Sequence, residues 1–312
     1  MQTRRLGTSA IEVSTVGLGC NNFGILDLES SRKVVTRALD LGITLLDTAD
    51  VYGNRGGSEE QLGQILGPRR KDVVLATKFG MAMDDDAVKA RGSRGYIAGA
   101  VEASLKRLRT DWIDLYQYHT PDGKTPLEET LAALDDLVAS GKVRAIGCSN
   151  LPAAGVRDAT AITRDRKLTP FVSAQDEYSL LVRDAEKELM PAIESCRMSL
   201  LPYFPLASGL LTGKYRRGEA APKDTRFGRT SRFNDRYMSE ANWAIVARLE
   251  EFCRARGRNL LELAFSWLLS HPVLASVIAG ATRPEQVEAN VKAASWQLTP
   301  QELAEIDRMT RK

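Results

Sequence analysis

The chain has 312 residues and a mass of 34.3 kDa, a length that suits either two average domains or one barrel of alternating strands and helices. Hydrophobic residues make up 43% and charged residues 27%, which excludes a disordered protein. No apolar run reaches the ~18 residues of a membrane helix, and no apolar stretch follows Arg4 and Arg5 as it would in a signal peptide. We therefore expect a cytoplasmic protein without membrane contact.

The net charge of +3 is small, but it is unevenly spread. Residues 214–236 contain eight Lys/Arg and three Asp/Glu, a local balance of 8 − 3 = +5 that attracts anions. The segment matches no nucleic-acid-binding motif, so we predict no nucleic-acid partner. Two interpretations stay open for it, a solvated loop or a segment that binds phosphate.

Cysteine and histidine usage predicts neither disulfides nor a metal site. The four cysteines are far apart and form no C-x-x-C pair, which favours reduced thiols. Only two histidines are present, His119 and His271, too few for a His-rich metal centre. The cysteines are Cys20, Cys148, Cys196 and Cys253.

Short apolar runs rich in β-branched residues alternate with longer segments of helical period, a pattern typical of βα units around a parallel sheet. The eight predicted strands are Thr15–Gly19, Thr44–Asp47, Val73–Thr77, Ile113–Tyr118, Val143–Cys148, Phe171–Gln175, Ser199–Tyr203 and Ser276–Ile278. The predicted helices include Ser30–Leu41, Glu59–Leu66, Tyr96–Leu108, Leu127–Ser140 and Ala185–Ser195.

These elements predict an α/β fold, a (β/α)8 TIM barrel that forms a single domain over residues 1–312. Arg4–Leu6 and Ile11–Val13 flank a Gly-Thr-Ser turn and predict a hairpin that caps the bottom of the barrel. Two long connections, 79–94 after the third strand and 204–238 after the seventh, are candidate lids, because loops after barrel strands build the active face.

Two segments resemble nucleotide-binding motifs but lack residues that these motifs require. Gly17-Leu18-Gly19 opens a G-x-G-x-x-G pattern, yet Asn22 stands at the third glycine, which argues against a doubly wound sheet. A phosphate loop near residue 208 fails because Ser208 occupies the first glycine position and Tyr215 the Ser/Thr position.

Polar or aromatic residues stand at or just after the ends of the predicted strands. In a barrel these ends share one rim, where barrel enzymes keep their chemistry. Each residue alone has an ordinary structural explanation, and only their convergence favours a site. The residues are Asp47, Tyr52, Lys78, His119, Ser149, Asn150, Gln175 and Tyr203.

Four of these residues suit hydride addition to a carbonyl group. A tyrosine with an ordinary pKa of ~10 donates a proton poorly at neutral pH, and we expect the ammonium of Lys78 to lower the pKa of Tyr52. Asp47 would keep Lys78 charged, and His119 would hydrogen-bond the carbonyl oxygen. The hydride itself requires a cofactor.

The motifs around these residues resemble those of the aldo-keto reductase family, in the family's order and from residue 3 to about residue 295. The matching segments are Asp47–Gly53 with Ser58 and Glu59, Ala76–Lys78, Tyr116–His119, Gly147–Asn150 and Tyr203–Leu210. The resemblance implies a barrel enzyme that reduces an aldehyde or ketone to an alcohol, reversibly, with NADP(H).

The resemblance also implies roles for individual residues. Asp47, Tyr52, Lys78 and His119 would form the catalytic tetrad, with Tyr52 as the general acid. Ser149, Asn150 and Gln175 would hold the nicotinamide carboxamide, and Tyr203 would stack on its ring. The residues implied to follow the pyrophosphate and the adenosine are Asn22, Phe204, Pro205, Leu206, Ser208, Leu210, Lys214, Gly280, Thr282, Arg283, Gln286 and Asn290.

The prediction that the cofactor carries a 2′-phosphate depends mainly on Arg283. Thr282-Arg283-Pro284 opens a predicted helix, whose free N–H groups suit a phosphate, and Arg283 could bind a 2′-phosphate with two hydrogen bonds. This favours NADPH over NADH. Several branches of the family have a lysine at the position of Gly280. In this chain Arg283 alone would therefore distinguish NADPH from NADH.

Two other functions stay open. Lys78 could form a Schiff base, as in a lyase, although Asp47 nearby would keep it charged. A slow, cofactor-binding regulatory module is the second, and the short segment before the barrel argues against it. We expect a monomer acting on a small carbonyl or alcohol, in an apolar pocket formed by Phe23, Val51, Phe79, Met81 and Met83.

Overall fold

A computed structural model describes residues 1–84, 89–222, 225–229 and 234–311. Eight parallel strands form one sheet in the order β10-β3-β4-β5-β6-β7-β8-β9. Backbone hydrogen bonds of Leu200 with Val273 and Ala275 join the two ends of this sheet, which confirms the predicted barrel. The strands are β3 (Val16–Gly19), β4 (Leu45–Asp47), β5 (Val74–Phe79), β6 (Ile113–Tyr118), β7 (Val143–Ser149), β8 (Phe171–Glu177), β9 (Ser199–Tyr203) and β10 (Val277–Gly280).

Helices cover the outside of the barrel, and some of them begin at side-chain caps. Asp27 accepts a hydrogen bond from the Ser30 amide at the start of the first helix, and capping boxes start at Asn259 and Thr299. The helices are α1 (Leu28–Asp40), α2 (Tyr52–Leu66), α3 (Arg94–Leu108), α4 (Leu127–Ala139), α5 (Ala153–Arg166), α6 (Leu189–Ser195), α7 (Arg226–Arg229), α8 (Asn234–Tyr237), α9 (Glu240–Arg254), α10 (Leu260–Leu269), α11 (Pro284–Ala293) and α12 (Pro300–Thr310).

The predicted strands agree with the structure to within two residues at each end, whereas one predicted helix differs. The helix predicted from Ala185 is a short 3₁₀ turn, Asp184–Glu186, followed by α6. The chain breaks at Glu188, whose φ of −135° is not helical, and Pro191 fits the first turn of α6 because that turn needs no N–H partner. The helix predicted from Glu59 agrees to within two residues, because residues 53–56 of α2 are not helical and its regular part begins at Gly57.

The hairpin at the bottom consists of β1 (Thr3–Arg5) and β2 (Glu12–Ser14), which pair antiparallel. Leu6 and Val13 are fully buried and pack with side chains of the barrel interior, so the hairpin covers this end of the barrel as predicted. Gly7 has a φ of +49°, and an added Cβ would lie 2.3 Å from the Val172 carbonyl oxygen, so only glycine fits there.

The two long connections follow β5 and β9. The second contains a 3₁₀ segment, Ala207–Thr212, and the short helices α7 and α8. Lys223, Asp224 and Arg232 of the basic segment lie outside the described residues. Across the described part of the chain, no helix has both the length and the apolar character needed to cross a membrane.

Candidate active site

Lys78 lies at the centre of the barrel mouth and is completely buried. Its Nζ donates to Asp47 Oδ2 at 2.8 Å and to the Thr48 carbonyl oxygen at 2.7 Å. Burial alone would lower the pKa of Lys78, but the Asp47 carboxylate and the Tyr52 hydroxyl raise it above the ordinary value. The ammonium therefore stays charged at neutral pH, in a site that satisfies it.

Tyr52 lies beside this ammonium. Its ring centroid is 5.1 Å from Lys78 Nζ and 5.8 Å from the His119 ring, which meets it edge on. Burial raises the pKa of Tyr52, and the attraction of Lys78 opposes this rise without cancelling it. The expected net lowering of the Tyr52 pKa is wrong for the protein alone, because desolvation of a phenolate outweighs one neighbouring cation. Tyr52 keeps its proton.

The backbone after Tyr52 adopts a rare conformation. Gly53, Asn54 and Arg55 all have left-handed dihedrals, and α2 is regular only after Gly56. An added Cβ on Gly53 would lie 2.4 Å from the Phe23 carbonyl oxygen, so the turn packs tightly on the loop after β3. This strained turn fixes the point at which Tyr52 enters the mouth.

His119 follows β6 and carries no charge. Burial and the ammonium of Lys78 lower the pKa of His119 to about 3. Its backbone amide donates to the Phe79 carbonyl oxygen at 2.8 Å, which fixes the residue on the edge of β5. At neutral pH its imidazole can donate one hydrogen bond to a ligand and repels no cation.

The second oxygen of Asp47 accepts hydrogen bonds from two amide side chains. Gln175 Nε2 lies 2.9 Å and Gln117 Nε2 3.3 Å from Asp47 Oδ1. Sequence reasoning identified Gln175 but missed Gln117. The signal was present, because Gln117 precedes His119 by two residues and alternate residues of a strand share a face.

Three of the predicted nicotinamide residues form one connected group. Asn150 Nδ2 donates to the His119 carbonyl oxygen at 2.9 Å and to Ser149 Oγ at 3.1 Å. Asn150 Oδ1 accepts from the Tyr203 hydroxyl at 2.9 Å. The Tyr203 ring is partly exposed at the end of β9, where a flat ligand could stack on it.

The segment after β9 forms a left-handed turn. Ala207, Ser208 and Gly209 have successive φ values of 46°, 57° and 102°, and the amides of Ala207 and Gly209 donate to the carbonyl oxygens of Phe204 and Leu206 at 2.8 Å. An added Cβ on Gly209 would lie 3.3 Å from Lys214 Nζ, so glycine lets this ammonium approach the backbone. Leu210 is buried.

The segment at the end of β10 contains the remaining predicted residues. Arg283 precedes Pro284, the first residue of α11, as predicted, and Gln286 Oε1 accepts from the Thr282 amide at 2.7 Å. Gly280 lies next to Asn22, because an added Cβ would be 3.3 Å from Asn22 Nδ2. Asn290 is buried. Among the residues that the structure describes, none forms an ion pair with the exposed Arg283.

Comparison with known proteins identifies the family of this chain. The profile of the Aldo/keto reductase family matches residues 15–311. The chain belongs to the aldo-keto reductase family. It is 35% identical to an L-glyceraldehyde 3-phosphate reductase of Escherichia coli, over 99% of this chain and 92% of that protein.

Other relatives of this aldo-keto reductase carry different names. A probable voltage-gated potassium channel subunit beta of Arabidopsis thaliana is 35% identical over 99% of this chain and 96% of its own length. The aldo-keto reductase YhdN of Bacillus subtilis is 33% identical over 98% of this chain and 93% of its own length.

The predicted apolar pocket needs correction. Phe23 and Phe79 are fully buried, and Phe79 stacks on Tyr116 with ring centroids 4.9 Å apart. Phe79 cannot contact a substrate in the mouth, because it follows the inward-facing Lys78 on β5 and so faces the helices. Phe23 belongs to the same hydrophobic core as Phe79. Met81 is 40% exposed on the loop after β5, and Val51 and Met83 are partly buried. Ile25, on the loop after β3, is 68% exposed and was not predicted.

Asp50, three residues after Asp47, is a second buried carboxylate with a different environment. It is 1% exposed, and neither carboxylate oxygen has a hydrogen-bond partner within the described part of the chain. Burial and the nearby Glu59 raise the pKa of Asp50 to about 8, against the attraction of Arg107. Arg107 is bound by Glu59, whose Oε2 lies 2.7 Å from its Nε. Asp50 is therefore protonated at neutral pH.

The basic segment is attached to the barrel at its end. Arg236 forms an ion pair with Glu177, the last residue of β8, and the Tyr237 hydroxyl donates to the same carboxylate. Glu177 is buried, so this contact anchors α8 beside the site. Part of the segment's positive charge is thus already paired with protein.

Proposed function

We propose that this aldo-keto reductase reduces an aldehyde or ketone to the alcohol, reversibly, with NADPH as the cofactor. The observation that carries the proposal is the buried cluster of Asp47, Lys78, Tyr52 and His119. It combines a charged ammonium, a protonated phenol and a neutral imidazole at one point of the mouth. Reduction of a carbonyl needs such groups, because negative charge develops on its oxygen.

Each residue of the tetrad has a role that follows from its state. Tyr52 donates its proton to the carbonyl oxygen, and Lys78 stabilises the phenolate that remains. Asp47 keeps Lys78 charged and directed at Tyr52. His119, as a neutral ring, donates a hydrogen bond to the same carbonyl oxygen. The nicotinamide cofactor, when bound, supplies the hydride to the carbonyl carbon.

The residues present fit a nicotinamide dinucleotide. Ser149, Asn150 and Gln175 would hold the carboxamide, with Tyr203 stacked on the ring. The ammonium of Lys214, which lies next to Gly209 in the turn after β9, suits a pyrophosphate. Arg283 at the start of α11 suits the 2′-phosphate that distinguishes NADPH from NADH.

Cofactor-consumption assays across carbonyl classes test this function. The panel contains aromatic aldehydes, ketones, sugars and glyceraldehyde 3-phosphate, the last because a relative from Escherichia coli is named for it. We expect oxidation of NADPH with at least one class, and a kcat/KM for NADPH well above that for NADH. Comparable values for the two cofactors would overturn the NADPH preference.

The regulatory alternative is separated by the same experiment, and one relative carries a channel-subunit name. Tight binding of NADPH without turnover on any substrate would favour it over the reductase. A Schiff base on Lys78 is disfavoured, because a raised pKa leaves no free amine at neutral pH. The single-domain organisation, the monomeric state and the cytoplasmic location remain predictions from the sequence.

A further inference from the structure

Gln117 reaches across the barrel interior to the tetrad. It is fully buried on β6, where it is the register partner of Lys78 on β5. Its Nε2 shares Asp47 Oδ1 with Gln175, while Lys78 Nζ binds Oδ2. The carboxylate of Asp47 is thus held by amides on one oxygen and by the ammonium on the other.

The neighbouring strand leaves room for this side chain. Gly147 on β7 is the register partner of Gln117, and an added Cβ there would lie 3.3 Å from Gln117 Cγ. The same Cβ would lie 2.5 Å from Ser173 Oγ on β8. Any larger residue at position 147 would push Gln117 away from Asp47.

The amide of Gln117 is oriented at some cost. Its Oε1 is buried and has no hydrogen-bond partner among the described residues. Buried acceptors are usually satisfied, and exceptions are frequent where a side chain serves a site. The opposite orientation would bring Oε1 against the carboxylate oxygen of Asp47, so the negative charge selects the donor orientation.

We propose that Gln117 is a positioning residue of the carbonyl reduction, and that it orients Asp47 so that Oδ2 stays on Lys78 during proton transfer from Tyr52. The inference rests on the proposed function. Gln175 would have to share its amide with the nicotinamide carboxamide, whereas Gln117 lies deeper, on the Asp47 side of the mouth. Gln117 therefore holds Asp47 whether or not a cofactor is bound.

Two substitutions separate positioning from packing. Gln117→Met keeps the length of the side chain and removes the donor, and we expect kcat to fall about tenfold with KM nearly unchanged, the size of one hydrogen bond to a charged group. Gln117→Glu can donate to Asp47 only while protonated. We expect its kcat to approach that of the parent at low pH and to fall as pH rises. Gln64→Met, on the exposed face of α2, is the matched control.

A second measurement needs no turnover. The chain has eight glutamines, and the side-chain amide signals of Gln117 and Gln175 can be assigned in ¹⁵N-labelled protein by their loss in Gln117→Met and Gln175→Met. We expect both signals to move in Asp47→Asn, without added cofactor. An unmoved Gln117 signal, or a Gln117→Met variant with the parent's kcat and pH profile, overturns the proposal. A parent without reductase activity overturns the proposed function instead, while a moved signal still establishes the contact.

Discussion

The interior of the barrel mouth and the segment at the end of β10 differ in whether their charged side chains are paired. Inside the mouth, Asp47 and Lys78 are buried and bind each other at 2.8 Å, with further partners on both. At the start of α11, Arg283 is exposed and has no ion-pair partner among the described residues. The charges of the mouth are therefore paired before a ligand binds, whereas the charge of Arg283 is available for a ligand.

This difference in charge pairing agrees with the functions that we propose for the two regions, catalysis in the mouth and phosphate binding at the start of α11. Stabilising charge in a transition state requires dipoles that are already fixed, since reorganising them would cost free energy at the moment of reaction. Binding a phosphate requires only that a hydrated cation can exchange water for the ligand. The contacts of the mouth are therefore in place in advance, whereas Arg283, in the segment that we propose binds the cofactor's phosphate, has no ion-pair partner in the described part of the chain.

Tyr52→Phe is the strongest test of the role proposed for the barrel mouth. It removes the transferred proton and little volume, so we expect kcat for carbonyl reduction to fall by ~10²–10⁴ while the Kd for NADPH changes by less than about twofold. Steady-state assays and fluorescence titration measure the two quantities. Full kcat in this variant would show that another group donates the proton.

Asp50→Asn tests the one buried carboxylate near the mouth that the described residues leave without a hydrogen bond. The folded-state pKa of Asp50 is about 8, above an unfolded value of ~4, so the folded protein loses stability as pH rises between these values. We expect the variant to exceed the parent by on the order of a few kcal/mol in unfolding free energy at pH 9, and by almost nothing below pH ~4.

Urea unfolding of both proteins at the two pH values measures this difference. Asp165→Asn, which changes a carboxylate that is 65% exposed, is the matched control and should show no such pH dependence. A variant less stable than the parent at pH 9 would mean that ionised Asp50 is well paired.

Arg283→Ala tests whether the segment at the start of α11 binds the 2′-phosphate of the cofactor. Loss of one charged partner of the 2′-phosphate should raise the Kd for NADPH about 10–100-fold and leave the Kd for NADH unchanged. Binding titrations with both cofactors measure this, and Arg283→Lys should recover only part of the affinity. An equal loss for both cofactors would place Arg283 away from the 2′-phosphate.

Glu177→Gln tests the anchor of α8 and should give the smallest effect. The substitution keeps the shape and removes the charge that Arg236 and Tyr237 bind, so we expect cofactor release to accelerate a few-fold. Stopped-flow displacement measures the rate. Glu29→Gln, at an exposed position on α1, is the control, and an unchanged rate in Glu177→Gln would show that the anchor does not restrain the cofactor.

The sequence predicted the barrel and predicted that Asp47, Tyr52, Lys78 and His119 lie on one rim, because strand ends in a parallel barrel meet there. It misjudged Phe79 because the predicted strand stopped at Thr77, and the alternation of faces was not continued past Lys78. It also gave no sign of the left-handed turn after Tyr52 or of the raised pKa of Asp50. Both depend on packing between segments distant along the chain, which local patterns do not contain.

The hairpin formed by β1 and β2 has a kinetic consequence. Because Leu6 and Val13 of the hairpin pack with the apolar side chains that fill the barrel interior, a ligand can reach Tyr52 only through the mouth at the other end. A nucleotide and a substrate that bind beside Tyr52 would therefore use the same entrance, and the bound nucleotide would slow the exchange of the substrate.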